Sequence, residues 1–489
     1  MSFNLANCFY QTAAKQPDNI LINGPREGNV LTYSEFASKV KSLAKALGMA
    51  GVRAGDNIGL HYPNGADYIA FTYALWECGA CVTPIPVELA NEEKQEIFKH
   101  IHIKNIITAA KHQPLFDLVC PEDGQIELPE QAVMLTVTSN CEAPAELAAV
   151  NAAFIRFTSG TTGSAKGVVL SHETIYERIH AANEVLNIGP EDKVLWLLSM
   201  AYHFAVSIVA YLTFGATIIL PQNNFGVTLL KAANRHFVTL TYGAPTHYNL
   251  MNNDNTGQRL PDTLRFTVVT TTALNPQVAE KFHQRFGRVL NETYGIIEIG
   301  LPAINASQSI EKQGSVGIPL PAYDVSLGDP NDQAGEIMVK GKGIIDAYYS
   351  PWKSRETLLQ EQGGWFKTGD LGRIDNEGFL FIVGRSKEVI SVGGMKFFPQ
   401  EVERVLEQHP NVKAAWVAPE KDLHLGELSV ANIVFNDPLN PPATDVLAAF
   451  CSASLAQYKV PKRFIPVDQL NYTASGKLIR HTSTHKQGK

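Results

Sequence analysis

The chain has 489 residues, enough for two or more domains and a large core. Apolar residues make up 45% of it and charged residues 18%, which excludes an intrinsically disordered protein. The net charge of −7 argues against nucleic acid as the main partner. Six sparse cysteines form no disulfide framework, and the lone Cys78-x-x-Cys81 pair is interpreted as structural. No signal-peptide pattern is seen, so we expect a cytoplasmic protein.

Residues 1–150 alternate between helical and strand patterns. Apolar residues recur at helical spacing over 37–50 and 67–78, and short apolar runs predict strands at 57–61 and 80–84. This order is typical of α/β folds with parallel sheets.

A loop rich in glycine and hydroxyl side chains follows. Residues 157–167 read Phe-Thr-Ser-Gly-Thr-Thr-Gly-Ser-Ala-Lys-Gly, directly after an apolar run at 152–157 that predicts a buried strand. Glycines let backbone N–H groups approach an anion, and hydroxyls and Lys166 add further donors. The Walker A pattern fails, because Ala165 stands where that pattern has glycine and Gly167 follows the lysine. A surface loop without function is the alternative, but the position after a strand favours a phosphate-binding loop.

Beyond the loop, Ser171 predicts the N-cap of a helix over 172–186. Residues 194–220 carry no Asp, Glu, Lys or Arg and are long enough to span a bilayer. We interpret them as a buried helix followed by a strand at 216–220, with a membrane span as the lesser alternative.

The helix–strand rhythm continues, with a β-rich section after Gly314 and a separate alternation after residue 385. The sequence therefore predicts an α/β fold with a large N-terminal domain, residues 1–385, of parallel-type sheets flanked by helices with a β-rich subdomain. Residues 386–489 are predicted to form a small α+β domain. Further strands are predicted at 236–242, 264–270, 412–418 and 431–435, and further helices at 245–251, 275–286, 399–408 and 443–455.

Four further stretches carry chemistry. Tyr294 to Glu298 combine an aromatic ring, a turn and a carboxylate, which suit base stacking and Mg²⁺ beside phosphates. Asp370 offers an acid for ribose hydroxyls, and Arg385 offers bidentate donors. Ser475-Gly476-Lys477 puts a lysine on a C-terminal loop.

Together these motifs resemble the adenylate-forming superfamily, which includes acyl-CoA synthetases, firefly-luciferase-like enzymes and the adenylation domains of peptide synthetases. The resemblance runs from about Leu31 to Arg480. Its most specific parts are Thr158 to Gly167 and the stretch from Gly384-Arg385 through Gly393-Gly394 to Glu403.

The resemblance implies a two-step reaction with ATP and Mg²⁺: a carboxylate attacks the α-phosphate to give an acyl adenylate and pyrophosphate, and an acceptor then displaces AMP. Lys477 and Glu298 would be catalytic, with Lys477 bridging the carboxylate and the α-phosphate and Glu298 binding Mg²⁺. Tyr294 would lie against adenine, and Asp370 and Arg385 would bind the ribose. The implied nucleotide-binding residues are Ser159, Gly160, Thr161, Thr162, Gly163, Lys166, Thr272, Ala273, Tyr294, Gly295, Asp370 and Arg385.

The resemblance also implies that the small domain is mobile and rotates about Lys387 between the two steps, bringing Gly393 and Gly394 to the acceptor channel. His203 resembles the family's pocket-wall histidine, although a histidine in an apolar run is often a core residue. Members that activate α-amino acids show Phe-Asp-x-Ser where this chain has Ala205, which cannot pair with an ammonium group. We therefore expect an apolar carboxylic acid as substrate.

The acceptor stays open at this point. CoA is expected as the co-substrate, with a carrier-protein phosphopantetheine or an amino acid, as in coronafacate-type amide ligases, as alternatives. Ile297 replaces the threonine usual in the family, which removes one hydrogen bond to the α-phosphate worth about 0.5–1.5 kcal/mol. That substitution is the only support for a further alternative, a nucleotide-binding relative without turnover.

Overall fold

The computed structural model of the chain describes residues 2–24, 30–116, 120, 125–138, 141–158, 166–328, 334–393, 395–422 and 424–470. Helices and strands alternate up to residue 150, as predicted: α1 (Leu5–Lys15), β1 (Ile20–Asn23), β2 (Val30–Thr32), α2 (Tyr33–Met49), β3 (Asn57–His61), α3 (Ala66–Glu77), β4 (Cys81–Pro84), α4 (Asn91–His100), β5 (Asn105–Ala109), β6 (Gln125–Leu128) and β7 (Ala132–Thr136). Short 3-10 helices follow at Ala110–Phe116 and Ala145–Ala149.

The next section contains the predicted strand, loop and helix around residue 160. Its elements are β8 (Ala152–Thr158), β9 (Lys166–Ser171), α5 (His172–Leu186), β10 (Lys193–Trp196), α6 (Met200–His203), a 3-10 helix (Phe204–Val206), α7 (Ile208–Phe214), β11 (Thr217–Ile219), α8 (Gly226–Arg235), β12 (Leu240–Gly243), α9 (Pro245–Asn252), β13 (Phe266–Val269), α10 (Pro276–Phe286), β14 (Asn291–Ile296) and β15 (Gly300–Ile304).

Short strands dominate after residue 310, as the sequence predicted. The elements are a 3-10 helix (Ile310–Lys312), β16 (Ile318–Pro319), β17 (Tyr323–Gly328), β18 (Gly335–Gly341), β19 (Ala347–Tyr348), β20 (Lys353–Ser354), α11 (Arg355–Glu361), β21 (Phe366–Ile374), β22 (Leu380–Arg385), a 3-10 helix (Ser386–Glu388), β23 (Ile390–Val392), β24 (Met395–Phe397), α12 (Pro399–Leu406), β25 (Val412–Asp422), β26 (Gly426–Phe435), α13 (Thr444–Ser452) and β27 (Arg463–Pro466).

Local chemistry fixes where the main helices begin and end. The Ser171 hydroxyl accepts a hydrogen bond from the Thr174 backbone N–H at 3.1 Å, which confirms the predicted N-cap of α5. α10 begins after Asn275, whose side chain accepts from the Gln277 N–H at 2.8 Å, and it ends at Gly287 with φ +65°.

Two nine-stranded sheets and a four-stranded sheet form the part of the chain before residue 386. The first sheet has the order β16-β15-β14-β13-β12-β10-β11-β1-β2, and the second β20-β19-β9-β8-β4-β3-β5-β7-β6. The central pairings of both sheets are parallel and the outer pairings antiparallel. The smaller sheet, β17-β18-β21-β22, is the predicted β-rich section.

The hydrophobic core follows this division of the chain. The largest cluster joins residues of both nine-stranded sheets, among them Val268 and Phe154, with residues of α1, α2, α3, α5 and α7. A separate cluster contains only residues between Ile390 and Val460, beneath the sheet of β23 to β27. The α/β fold is therefore confirmed, with the C-terminal part built around its own core.

Residues 194–220 are not the buried helix followed by a strand that the sequence predicted. The segment opens with β10, which pairs in parallel with β11 and β12, and reaches β11 through α6 and α7. A short apolar run fits a buried strand as well as a buried helix, so periodicity could not separate them. The predicted strand at 216–220 is confirmed as β11. None of the helices in the described ranges is long and apolar enough to cross a membrane.

Candidate active site

The predicted phosphate loop connects two strands that pair with each other. β8 and β9 form an antiparallel pair in which Thr158 lies opposite Lys166 and Phe157 opposite Gly167. A Cβ atom at Gly167 would lie 2.8 Å from the Cβ of Tyr349, and the Tyr349 N–H donates to the Gly167 carbonyl at 2.7 Å. Gly167 is therefore needed for the close approach of the chain after β19. The loop residues Ser159, Gly160, Thr161, Thr162 and Gly163 lie outside the described residues.

Three predicted residues form a continuous set of polar contacts, which we call the paired corner: Tyr294, Asp370 and Arg385. The Tyr294 hydroxyl donates to Asp370 Oδ2 at 2.8 Å, and Arg385 Nε lies 2.9 Å from Asp370 Oδ1. Asp370 and Arg385 are direct cross-strand partners in the β21–β22 ladder. The sheet register therefore positions this pair without any ligand.

Burial determines the protonation of the paired corner. Tyr294 is 7% exposed and Asp370 5% exposed. Burial, with the Asp370 charge beside it, holds the pKa of Tyr294 well above its ordinary value. The hydroxyl thus stays protonated and remains a donor to the carboxylate.

Glu298 lies on the turn between β14 and β15. The buried Arg178 of α5 holds this turn: its Nη1 donates to the Ile297 carbonyl and its Nη2 to the Glu298 carbonyl, both at 2.8 Å, and its Nε donates to the Gly343 carbonyl. Burial lowers the pKa of Arg178 to about 10, so it remains charged near neutral pH. Arg178 is therefore a positioning residue for the turn that presents Glu298.

A second set of contacts connects Glu298 to β9, the strand that follows the predicted phosphate loop. The Tyr348 hydroxyl donates to Glu298 Oε1 at 3.2 Å, and the Ile345 N–H donates to the Glu298 carbonyl at 2.7 Å. Tyr348 is the cross-strand partner of Val168 on β9, two residues after Lys166. The predicted metal-binding carboxylate is thus brought next to the strand that follows the loop.

The carboxylate of Glu298 fits Mg²⁺, which proteins often bind through one or two carboxylates together with phosphate oxygens of the substrate. Within the described residues, no hydrogen bond occupies its second oxygen, Oε2. No group of three or more His, Cys, Asp or Glu residues able to hold a metal ion occurs there either. A site of this kind would therefore depend on phosphate oxygens for its other ligands.

Gly295 lies on β14 next to Tyr294, and Thr272 and Ala273 lie in the connection between β13 and α10. A Cβ atom at Gly295 would lie 2.2 Å from the Gly300 carbonyl oxygen, so this exposed position requires glycine for hairpin packing. Thr272 and Ala273 are exposed between β13 and α10. The preceding residue, Thr271, has φ +86°, a strained conformation for a β-branched residue of the kind that accumulates at functional sites.

The predicted acid-pocket residues come from two places. His203 ends α6, and its ring lies 6.4 Å from Trp196 and 6.2 Å from Tyr242. Ala205 is buried in the main core and Ile297 packs partly against it. The surroundings of these residues are largely apolar and aromatic.

A polar group lies beside this apolar wall and was not predicted; we call Arg156, Tyr68 and Tyr202 the unpaired corner. Arg156 Nη1 donates to the Tyr202 carbonyl at 2.6 Å, and its guanidinium lies 5.0 Å from the centre of the Tyr202 ring. Among the described residues, the buried Arg156 Nε and the Tyr68 hydroxyl have no hydrogen-bond partner. Burial lowers the pKa of Arg156, while the charge of Glu298 acts in the opposite direction.

The remaining predicted residues lie in the C-terminal part. Lys387 is exposed in the 3-10 helix after β22, and Gly393 is exposed with φ +57° at the turn between β23 and β24. Gly394 and Lys477 lie outside the described residues. Their predicted roles stay predictions.

Sequence reasoning missed Arg178 and Arg156, although each had a signal. Arg178 lies three residues after Ile175 and four before Ala182, which puts a charge on the apolar face of α5. Arg156 interrupts an apolar strand immediately before the loop. A charge at a core-facing position is informative because it must find a partner or a ligand.

Known protein families and relatives match this chain along nearly its whole length. The family described as AMP-binding enzyme matches residues 9–349, and the family described as AMP-binding enzyme C-terminal domain matches residues 401–477. The sulfoacetate–CoA ligase of Cupriavidus necator is 29% identical over 96% of this chain and 95% of its own length. The 2-succinylbenzoate–CoA ligase of Geobacillus kaustophilus is 30% identical over 97% of this chain and 96% of its own length.

Solved structures show the same fold. The o-succinylbenzoate CoA synthetase of Bacillus subtilis, in complex with its acyl-adenylate intermediate, has a TM-score of 0.83 and 26% identity, covering 99% of each chain. The protein described as RpMatB-BxBclM chimera B3, bound to ATP, has a TM-score of 0.83 at 22% identity over 97% of each chain and supports the fold alone.

Proposed function

This chain belongs to the adenylate-forming superfamily of AMP-binding enzymes and is an AMP-forming acid–thiol ligase, and we propose that its substrate is a carboxylic acid with an apolar body, activated with ATP and transferred to CoA. The observation that supports this most directly is the paired corner beside the turn of Glu298. Its residues are held together across β14, β21 and β22 at the place where the nucleotide is expected.

In the first step, the acid's carboxylate attacks the α-phosphate of ATP and pyrophosphate leaves. The protein's contribution is positioning and electrostatic stabilisation. Asp370 and Arg385 would orient the ribose, Tyr294 would lie against adenine, and the loop from Ser159 to Lys166 would hold the leaving phosphates. Glu298 would hold Mg²⁺, which supplies charge neutralisation at the phosphate oxygens when bound.

In the second step, the thiol of CoA attacks the acyl carbonyl and AMP leaves. We propose that the chain after about residue 386 rotates about Lys387 between the steps, removing Lys477 from the site and bringing the turn at Gly393 to the acceptor channel. Ser386 Oγ donates to the Gly369 carbonyl at 3.1 Å, a weak exposed contact beside the proposed hinge.

The function is tested by incubating the purified protein with ATP, Mg²⁺ and a panel of carboxylic acids, and following pyrophosphate with CoA, with mixed amino acids, and with neither. We expect acid-dependent pyrophosphate release that CoA stimulates, with an acyl-CoA product by mass spectrometry. An acyl–amino acid product would contradict CoA as acceptor. ATP binding without release for any acid would contradict enzymatic activity and direct attention to Ile297.

The substitution Lys477→Ala tests whether Lys477 acts in the first half-reaction only. We expect adenylate formation, measured as acid-dependent pyrophosphate exchange, to fall by about 100- to 1,000-fold, because the charge that develops at phosphorus loses its stabilising cation. Transfer to CoA from a supplied acyl adenylate should stay largely intact. An equal loss in both half-reactions would contradict the proposed division between domain positions.

A further inference from the structure

The unpaired corner lies against the proposed acid pocket. Arg156 is on β8, and its guanidinium donates to the carbonyl of Tyr202, the residue before His203. The Tyr68 ring of α3 lies 5.7 Å from the ring of Phe204, the residue after His203. Arg156 and Tyr68 therefore both contact the segment that carries His203 and Ala205, and they are close enough to act on each other electrostatically.

This corner contains more donors than acceptors. A guanidinium has five N–H donors, and the described contacts of Arg156 include one carbonyl and one aromatic face. The buried Nε and the fully buried Tyr68 hydroxyl have no hydrogen-bond partner among the described residues. Because unpaired buried polar groups are costly, such groups usually face a ligand or a water that completes them.

Among the described side chains, the charge of Arg156 has no ion-pair partner. Glu298 acts on it electrostatically, but that carboxylate accepts from Tyr348 and is proposed to bind the metal. The rings of Trp76 and Phe154 pack against Phe204, two residues after Tyr202, so the segment that Arg156 contacts is lined by aromatic side chains.

We propose that Arg156, assisted by the Tyr68 hydroxyl, binds a second anionic group of the acid substrate, a carboxylate or a sulfonate remote from the reacting carboxylate. The inference rests on the proposed function and narrows its substrate class to acids with an apolar body and a second anionic end. Arg156 is then a specificity-determining residue. An anion supplies acceptors to both unpaired donors at once and neutralises the guanidinium, whose Nε is buried.

The test compares acids of the same skeleton with and without a second carboxylate: adipate with hexanoate, and phthalate with benzoate. Sulfoacetate and 2-succinylbenzoate, which the relatives' names specify, extend the panel. For wild type, we expect kcat/KM to be about 10- to 100-fold higher for the diacid of at least one matched pair, mostly through KM. Arg156→Gln should abolish that preference, and Arg156→Lys should keep part of it.

Two further variants show whether the effect of Arg156→Gln comes from the anion site or from a loss of structure. Tyr68→Phe, which removes only the hydroxyl, should lower the preference for the diacid by a smaller factor. Arg259→Gln removes the same charge at an exposed position and should leave the preference unchanged. Equal kcat/KM for both members of every pair in wild type would overturn the proposal. So would an Arg156→Gln variant whose KM for ATP rises while the acid preference persists, which would assign Arg156 to the nucleotide.

A binding measurement separates this inference from the proposed reaction. The melting temperature of each variant is measured with each acid in the absence of ATP. A larger increase with the diacid in wild type, absent in Arg156→Gln, supports the anion site even if no acid is turned over, in which case the proposed reaction is wrong. Equal increases for both acids in wild type overturn the anion site whatever the turnover.

Discussion

The two polar corners of the site differ in how their groups are satisfied. In the paired corner, Tyr294, Asp370 and Arg385 bond to one another through positions set by the β21–β22 register. In the unpaired corner, the Arg156 Nε and the Tyr68 hydroxyl find no partner among the described residues. The groups of the first corner satisfy one another, while on our proposal the second corner is completed by an anionic group of the substrate. The proposal therefore assigns the paired corner to ATP, which is the same in every reaction of the family, and the unpaired corner to the acid, which varies.

The largest effect is expected from breaking the paired corner with Asp370→Ala. Tyr294 and Arg385 would both lose their partner, so the free energy of unfolding should fall by about 2–4 kcal/mol. If Asp370 binds the ribose, kcat/KM for ATP should fall by about 100-fold. Chemical denaturation and pyrophosphate release measure the two effects. Glu420→Ala, which breaks the exposed pair with Arg463, should cost less than about 1 kcal/mol and serves as the control.

A second effect concerns the strand under the paired corner. Burial raises the pKa of Glu292 on β14 to about 7, although Gln313 and the Gly314 N–H donate to its carboxyl group. Since the folded pKa exceeds the unfolded value, the folded state binds the extra proton, and stability is lost as pH rises from about 4.5 to about 7. Glu292→Gln keeps the acceptor oxygen and should remove this dependence, a difference of about 2–3 kcal/mol between pH about 4.5 and pH about 8.

Denaturant unfolding of wild type and Glu292→Gln across that pH range measures the effect. Glu127→Gln, at an exposed position on β6, is the matched control and should follow wild type. If the free energy of unfolding of wild type and of Glu292→Gln changed with pH in the same way, Glu292 would not be protonated in the folded protein.

The smallest effects are expected when one tyrosine hydroxyl is removed from each corner. Tyr294→Phe removes a hydroxyl that donates to Asp370, so the free energy of unfolding should fall by about 0.5–1.5 kcal/mol. Tyr68→Phe removes a buried hydroxyl without a described partner, so stability should change by less than about 0.5 kcal/mol or increase. Thermal and chemical denaturation without ligand measure the stability of the two variants. A loss for Tyr68→Phe as large as that for Tyr294→Phe would show that the hydroxyl is already satisfied.

Much of the site was predictable because its motifs are local. Short stretches of sequence were enough to predict the strand before the predicted phosphate loop, the Ser171 cap and the hairpin of Tyr294 and Glu298. The direct pairing of Asp370 with Arg385 was not, because it depends on which strands align. The strand β10 was mistaken for helix because a short run buried on both sides has no periodicity that separates the two.

The sequence by itself determined the α/β order, the site motifs and the family, since each rests on residues close together in the chain. Only the tertiary structure decided that Arg178 holds the turn of Glu298 and that Arg156 contacts Tyr202. The physical reason is that a buried charge is defined by partners distant in sequence: Arg178 bonds to carbonyls 119 and 120 residues away. Which buried donors find a partner is therefore decided by how distant parts of the chain pack together.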